Sequence, residues 1–367
     1  MALPGLEDLV EQEINDWYPD LKTHRGHGGI TVHAPFSMGL SMNTVLKTAT
    51  RILLRVDEFR CRDFPKLYNR VIELPWKNWV DPTSTLTVHA ATRLSRLKIK
   101  TRIEETCLEG WTEYQSDLGI TADPKKQIAM YVRFHNDDCV ISLDTSGERL
   151  HKRGIREKIG EAPLRETIAA ALLQLVAKTD PDAQNVEVVD PMMGSGTFLI
   201  EAAMRDRTVE REYAAGLFSS TSDEASLHAQ RPKIIKLTGF ERDTKTINAA
   251  KDNLAQIKDG FDVQIIHRDF FGSPPLPKAE GARWLLVNPP YGERLKVKEP
   301  LSEYYAKLFN EVARVVQPSR ACFLLPAKAV KGRFPLPLGW KVLEKRPISN
   351  GGIPVVAFVF GQSEPGH

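Results

Sequence analysis

The residues best placed to do chemistry lie in LLVNPPYGERL, Leu285 to Leu295. An apolar run meets Asn288, Pro289, Pro290 and Tyr291. Proline cannot donate to a sheet ladder, so the tetrapeptide must end a buried strand. It sets a carboxamide, a stiff backbone and a phenol ring side by side at the strand tip. Asn288 Oδ1 and the Pro289 carbonyl are two acceptors that could grip both N–H groups of a planar amine. Such an amine is a poor nucleophile because its lone pair is delocalised. Two acceptors can pyramidalise it and aim that pair. Tyr291 could stack on an attached base, a contact of about 1–3 kcal/mol. Adenine N6, cytosine N4, guanine N2 and a glutamine amide all present such a nitrogen. The same letters also spell a plain turn with an aromatic core cap. What lies upstream must decide.

Upstream, VEVVDPMMGSGTF places Asp190 and Pro191 at a strand end. Gly194, Ser195 and Gly196 form the turn, and Thr197 opens a helix. Glycines let backbone approach a ligand, and a helix N-terminus favours electron-rich groups. Leu199 occupies the third glycine position of a dinucleotide fingerprint, which argues against nicotinamide. Glu241 in LTGFERD ends the next strand, where its carboxylate could accept from both hydroxyls of a ribose. Asp269 in IIHRDFF follows the strand after that and could accept from an adenine amine, with Phe270 beside it. One such acid is an ordinary turn residue. Three at successive strand ends around a glycine turn make a nucleoside pocket.

In this order the four motifs resemble those of the S-adenosylmethionine-dependent amino-methyltransferases. The usual aspartate of the ribose motif is Glu241 here, with a longer reach. The resemblance implies S-adenosyl-L-methionine as cofactor and S-adenosyl-L-homocysteine as product. Transfer would then be an in-line displacement governed by positioning, with no strong general base.

These strand ends need a sheet to hold them. From residue 164 to 367 strands alternate with helices: RETIAAALLQLVAK, VEVVD, TFLIEAAM, KLTGF, TKTINAAKDNLAQI, VQIIH, RWLLVN, RACFLLP and PVVAFVF. That rhythm predicts an α/β, mostly parallel, doubly wound sheet of about seven strands. Residues 205–235 lengthen the first crossover with a polar stretch expected to run as a surface excursion. Residues 1–55 read as a small lobe, with a helix over GLEDLVEQEINDWY, a strand at GGITVHA and a second helix from about Ser41 to Leu54. Residues 56–150 read as an α+β unit whose helix carries Ile99, Ile103, Cys107 and Trp111 as its apolar stripe. Residues 151–163 are a basic connector.

The net charge of +3 excludes a generic polyanion binder but not a local basic face. Arg93, Arg96, Lys98, Lys100 and Arg102 precede the first acid of their segment, and Lys152, Arg153 and Arg156 lie in the connector. Phosphates are the expected contact; a solvated helix face is the alternative. The four scattered cysteines predict buried, reduced thiols. HRGH near His24 and His27 lacks partners to complete a site, so no metal is expected. With no long apolar run and no secretory leader pattern, a cytoplasmic protein that crosses no membrane is expected.

The chain as a whole resembles the THUMP-containing RNA guanine-N2 methyltransferases, specifically the large-subunit (23S) ribosomal RNA branch. PGLEDLVEQEI, KTATRILLRVDEF, DTSGERLHKRGIREKIGEAPLRE and DPMMGSGTFLIEAA carry that resemblance. It implies a ferredoxin-like N-terminal domain (1–55), a THUMP domain gripping structured RNA (56–150) and a Rossmann-like class I methyltransferase domain (164–367). It also places Pro163 and Leu164 beside the cofactor. Kept open are a transfer-RNA guanine-N2 enzyme, a DNA adenine-N6 methyltransferase and a non-catalytic RNA-binding assembly factor.

Overall fold

The computed structural model describes residues 1–154, 164–214, 217, 225–257, 260–291, 300–330 and 336–362. Pro163 and Arg156 fall outside them. In chain order the elements are α1 (Glu7–Trp17), β1 (Thr23–Gly26), β2 (Gly29–Val32), α2 (Phe36–Val45), β3 (Leu53–Arg60), α3 (Phe64–Glu73), β4 (Ser84–Arg93), α4 (Lys100–Asp117), β5 (Asp123–His135) and β6 (Asp138–Asp144). They continue with α5 (Glu166–Lys178), β7 (Asn185–Asp190), α6 (Thr197–Met204), β8 (Lys233–Glu241), α7 (Thr244–Ala255), β9 (Asp262–His267), β10 (Ala282–Val287), α8 (Leu301–Val315), β11 (Arg320–Pro326), β12 (Trp340–Asn350) and β13 (Ile353–Gln362).

The seven-stranded sheet runs β12-β13-β11-β10-β7-β8-β9. Strands β9, β8, β7, β10 and β11 are parallel, whereas β13 lies antiparallel between β11 and β12. The strand order reverses at β7 and β10, so their carboxyl ends open the crevice where α/β sheets bind ligands. Apolar residues cover both faces. Ile168, Leu172 and Phe198 pack on one, and Tyr305, Leu308 and Phe309 on the other. Inside the sheet, Glu187 on β7 accepts from Arg283 Nε on β10 at 2.7 Å and from the Thr238 hydroxyl at 2.7 Å. The β12 strand was not anticipated. Its residues alternate weakly, and it is identified only by pairing along β13.

A four-stranded sheet, β3-β6-β5-β4, is antiparallel except for the parallel β4–β5 pair. Helices α3 and α4 lie against one another, and α4 also packs on β4. Ile103, Cys107 and Trp111 of α4 are buried, and Trp111 meets Trp76 edge-on at 5.0 Å. Ile99, expected on the same stripe, is 58% exposed because it precedes the first helical turn. All four cysteines are buried and free.

The helix expected to reach Leu54 stops at Val45. Buried Glu13 on α1 captures the chain there, taking the Lys47 and Thr48 N–H groups at 2.8 Å each and the Thr48 hydroxyl at 2.5 Å. Those bonds compete with helix continuation. β3 then begins at Leu53 and joins the four-stranded sheet. Nor does the 205–235 crossover run free over the surface. The N–H groups of Val209 and Ala214 donate to Thr44 and Thr145 carbonyls at 2.8 and 3.1 Å. Leu217 bridges to Val80, and Arg231 donates two bonds to Asp16 at 2.6 and 2.9 Å. Among the described residues of the crossover, Arg231 and these backbone groups tie it to the N-terminal half of the chain. None of the described helices is long and apolar enough to cross a membrane.

Candidate active site

The four sequence motifs meet at one edge of the seven-stranded sheet. Asp190 ends β7, Glu241 ends β8, Asp269 lies two residues beyond β9, and Asn288 directly follows β10. Neighbouring pairing (Asp190 with Gly239, Glu241 with His267, Leu285 with Val189) keeps these ends in register. A one-residue slip would turn each functional side chain to the opposite face.

Between β7 and α6 the backbone makes a tight turn, with Gly194 at φ +54° and Gly196 at φ +89°. Both lie in the left-handed region that side chains disfavour. Beside Gly194 the space a Cβ would fill is open, so backbone faces the crevice there. Pro191, Ser195 and Thr197 are buried around the turn, and Asn253 on α7 holds it by donating to the Ser195 carbonyl at 3.2 Å. Glu241 closes it from the other side. One carboxylate oxygen accepts the Gly194 N–H at 3.2 Å, and the other accepts the Arg242 and Asp243 N–H groups at 2.8 Å each. Here the extra methylene of glutamate reaches the glycine turn itself. The second lone pair of the oxygen facing Gly194 can still accept a ligand hydroxyl.

Asp190 is 2% exposed and accepts the Met192 N–H at 3.0 Å. Burial, reinforced by the nearby Glu241 charge, pushes its carboxyl up to about 8. Among the described residues no cation is paired with it. Neither Asp190 nor Glu241 has an ion-pair partner among the described residues, which fits a nucleoside cofactor that brings its own positive charge. Asp190 is protonated in the fold where the unfolded chain would already be ionised. Its contribution to stability is therefore complete below about pH 4 and declines as pH rises towards about 8. Asp190→Asn, which cannot ionise, is expected to raise the ligand-free melting temperature. The gain should be absent near pH 4 and full above about pH 8, as thermal scans across that range would measure.

On the far side of the switch point, Asn288 and Pro290 are half-buried and Pro289 is buried. Tyr305 on α8 donates its hydroxyl to the Pro290 carbonyl at 2.9 Å, fixing the second proline from below. Tyr291 packs its ring against the sheet core and donates its hydroxyl to Asn288 Oδ1 at 2.6 Å. Burial pushes this phenol up to about 12, so it remains a donor at neutral pH. The hydroxyl thus occupies the acceptor expected to hold an amine. Asn350, at the β12–β13 turn, also faces the phenol. Sequence reading missed both Tyr305 and Asn350, since neither lies in a motif and only the sheet order brings them here.

Other expected site residues fall elsewhere. Phe270 is 2% exposed and packs edge-on against Phe240 at 5.2 Å, so its ring belongs to the core and not beside a ligand. Asp269 is exposed, with one oxygen on the Phe271 N–H at 3.1 Å and the other on Arg242 at 3.2 Å. Leu164 is buried in the core of the seven-stranded sheet. Arg153, expected to face phosphates, has a 4% exposed side chain and makes two bonds of 2.8 Å to buried Glu201. Lys152 is exposed and pairs with Glu148. Arg93, Arg96, Lys98, Lys100 and Arg102 are all exposed on the loop leading into α4 and on its first turn. A cleft of about 570 Å³ between the β1–β2 hairpin and the four-stranded sheet contains none of the strand-end residues. The chemistry follows the sheet edge, not this cleft.

A parallel sheet with an antiparallel β13 inserted, a glycine turn after its central strand and acids at the following strand ends define the class I methyltransferase fold. The chain belongs to the UPF0020 family, RMKL-like methyltransferase domain, whose model matches residues 153–352. It is 25% identical to slr0064 of Synechocystis, a protein named provisionally as an RNA methyltransferase, over 95% of this chain and 92% of that one. It is 28% identical to the Ribosomal RNA large subunit methyltransferase K/L of Cellvibrio japonicus, over 83% of this chain and 43% of the relative. The chain spans about half the length of the K/L relatives it matches. Among solved structures, SMU.472, provisionally a methyltransferase and crystallised with SAH, superposes with a TM-score of 0.77. That match covers 100% of this chain and 97% of the other at 23% identity, a likeness of fold.

Proposed function

We propose that this chain transfers a methyl group from S-adenosylmethionine to the exocyclic N2 of a guanine in 23S ribosomal RNA. The observation that carries the reading is the placement of Asn288 beside Pro289 at the β10 tip, across the switch point from Asp190 and Glu241. When bound, S-adenosylmethionine supplies a methyl group activated by the sulfonium. Glu241 provides negative charge for its cationic part, Asp190 is a buried acid whose ionised form an arriving cation would favour, and the Gly194 backbone provides close approach.

Asn288 Oδ1 and the Pro289 carbonyl hold the two amine hydrogens, so the nitrogen lone pair points towards the methyl carbon. The transfer would form the N–C bond as the sulfonium C–S bond breaks, and the ammonium proton would leave to water. The Tyr291 hydroxyl takes one lone pair of Asn288 Oδ1 and orients the carboxamide, and the second lone pair can accept the amine. Two acceptors suit an amine. They do not suit guanine N7, a ring acceptor with no hydrogen to offer.

Ribosomal RNA is supported by the names of the K/L relatives from several bacteria. It is supported too by the exposed cations before and within α4. Nucleoside mass spectrometry of RNA from a deletion strain tests the assignment. N2-methylguanosine should be lost from one 23S position. Loss from transfer RNA with unchanged ribosomal RNA would move the substrate, and loss of N7-methylguanosine alone would overturn the amine reading.

A further inference from the structure

The loop joining β4 to α4 presents a surface that charge alone does not explain. Leu94 is 72% exposed and Ile99 58%. Both stand among the exposed cations Arg93, Arg96, Lys98, Lys100 and Arg102. Leu94 is also held at φ +53°, where glycine or asparagine would sit more comfortably.

The loop is braced in this shape. Ser95 donates its hydroxyl to the Arg93 carbonyl at 2.9 Å and accepts the Asp137 N–H at 3.0 Å. The Thr92 hydroxyl donates to the Leu97 carbonyl at 2.6 Å, and the Asn136 N–H to the Arg93 carbonyl at 3.3 Å. Asp137 Oδ1 takes the Arg96 N–H at 2.7 Å, while its other oxygen takes Arg62 Nε at 2.7 Å. Asn136 and Asp137 form the β5–β6 turn, at φ +53° and +67°. One carboxylate thus fastens the loop to the neighbouring hairpin and gathers Arg62 to the same surface. The result is a stiff apolar tip ringed by cations.

Such a tip is a poor match for a protein partner. Protein interfaces exclude charge from their cores and bury on the order of 1,200 Å² or more, far beyond two side chains. A ring of cations around a small apolar point instead matches phosphates flanking an unstacked base. We infer that Leu94 and Ile99 pack against an unpaired base of structured RNA while the surrounding cations grip the adjacent phosphates. The inference rests on the RNA reading above and adds the RNA feature recognised: a bulge or loop base beside a helix.

The test uses the full chain and two RNA hairpins that differ only by one bulged 2-aminopurine, titrated at several salt concentrations. The wild type should bind the bulged hairpin roughly five- to ten-fold more tightly, the lower end of what a base contact with an aromatic ring is worth because Leu94 and Ile99 are aliphatic, with a change in 2-aminopurine fluorescence. Leu94→Asn with Ile99→Ser should abolish that preference and leave binding to the paired hairpin and its salt slope unchanged. Because asparagine accepts a positive φ, the melting temperature of this variant should not fall, which separates lost contact from lost fold. Arg96→Ala with Lys98→Ala should weaken both hairpins alike and reduce the salt slope by about 2. Equal wild-type affinity for the two hairpins, or a preference that survives Leu94→Asn with Ile99→Ser, overturns the inference. If the wild type binds neither hairpin, the RNA reading falls, and the inference with it.

Discussion

Asn288→Ala is expected to lower kcat for methyl transfer roughly a hundred- to a thousand-fold, the usual loss when one preorganised polar group is removed from a transition state. Affinities for S-adenosylmethionine and RNA should stay within about two-fold. The asymmetry follows from where Asn288 acts. The planar ground-state amine gains little from its acceptor, whereas the pyramidal nitrogen of the transition state depends on it. A single-turnover assay with labelled methyl isolates that step from product release. Tyr291→Phe is the control. It removes the phenol bond to Asn288 Oδ1 but keeps both the acceptor and the ring, so kcat should change by only a few-fold. An alanine variant that turned over at the native rate would leave the amine clamp without a mechanism.

The strand ends make this site readable from sequence. Asp190, Glu241 and Asn288 each follow an apolar run too short for a helix, and parallel strands deliver their carboxyl ends to one edge. Local pattern therefore predicted the grouping before any pairing was known. What it could not predict depends on partners distant in the chain. Phe270 looked like a ligand contact because it neighbours Asp269, yet in the turn after β9 its ring packs on Phe240 while Asp269 stays exposed. The α2 helix ends early because Glu13, more than thirty residues away, takes two backbone donors. Tyr305 and Asn350 reach the site only through strand order. In the connector, Arg153 and Lys152 look equivalent in sequence, but one is buried and the other is exposed.

The 205–235 crossover gives the same lesson at larger scale. Its polar composition suggested a loop that water would satisfy. Instead Arg231 is 8% exposed at its side chain and is ion-paired with both Asp16 and Asp206. Polar residues in a long connection can serve as ties between lobes as readily as a solvated surface. The proposed amine clamp lies on the seven-stranded sheet and the basic α4 loop on the four-stranded one. An RNA engaging both would need those sheets in a fixed relation, which these ties help provide.

The Arg153–Glu201 pair is the most consequential of them. Arg153→Met is expected to cost about 3–5 kcal/mol of stability, because Glu201 would remain as a buried charge with no partner. Burial already pushes the Glu201 carboxyl above its ordinary value against the pull of the guanidinium. The loss should also loosen the lobes, since Arg153 donates to the Lys47 carbonyl at 2.8 Å and to Leu150 at 3.4 Å. Glu201→Leu in the same chain should recover much of the urea midpoint by removing the orphaned charge, though not the bond to Lys47. A residue gripping phosphate would behave differently. Its loss would leave the midpoint alone and lower the salt slope of RNA binding by about 1. Arg153→Met should do the reverse, shifting the midpoint and leaving the slope unchanged. An unshifted midpoint with a reduced slope would return Arg153 to the RNA surface, where its sequence first placed it.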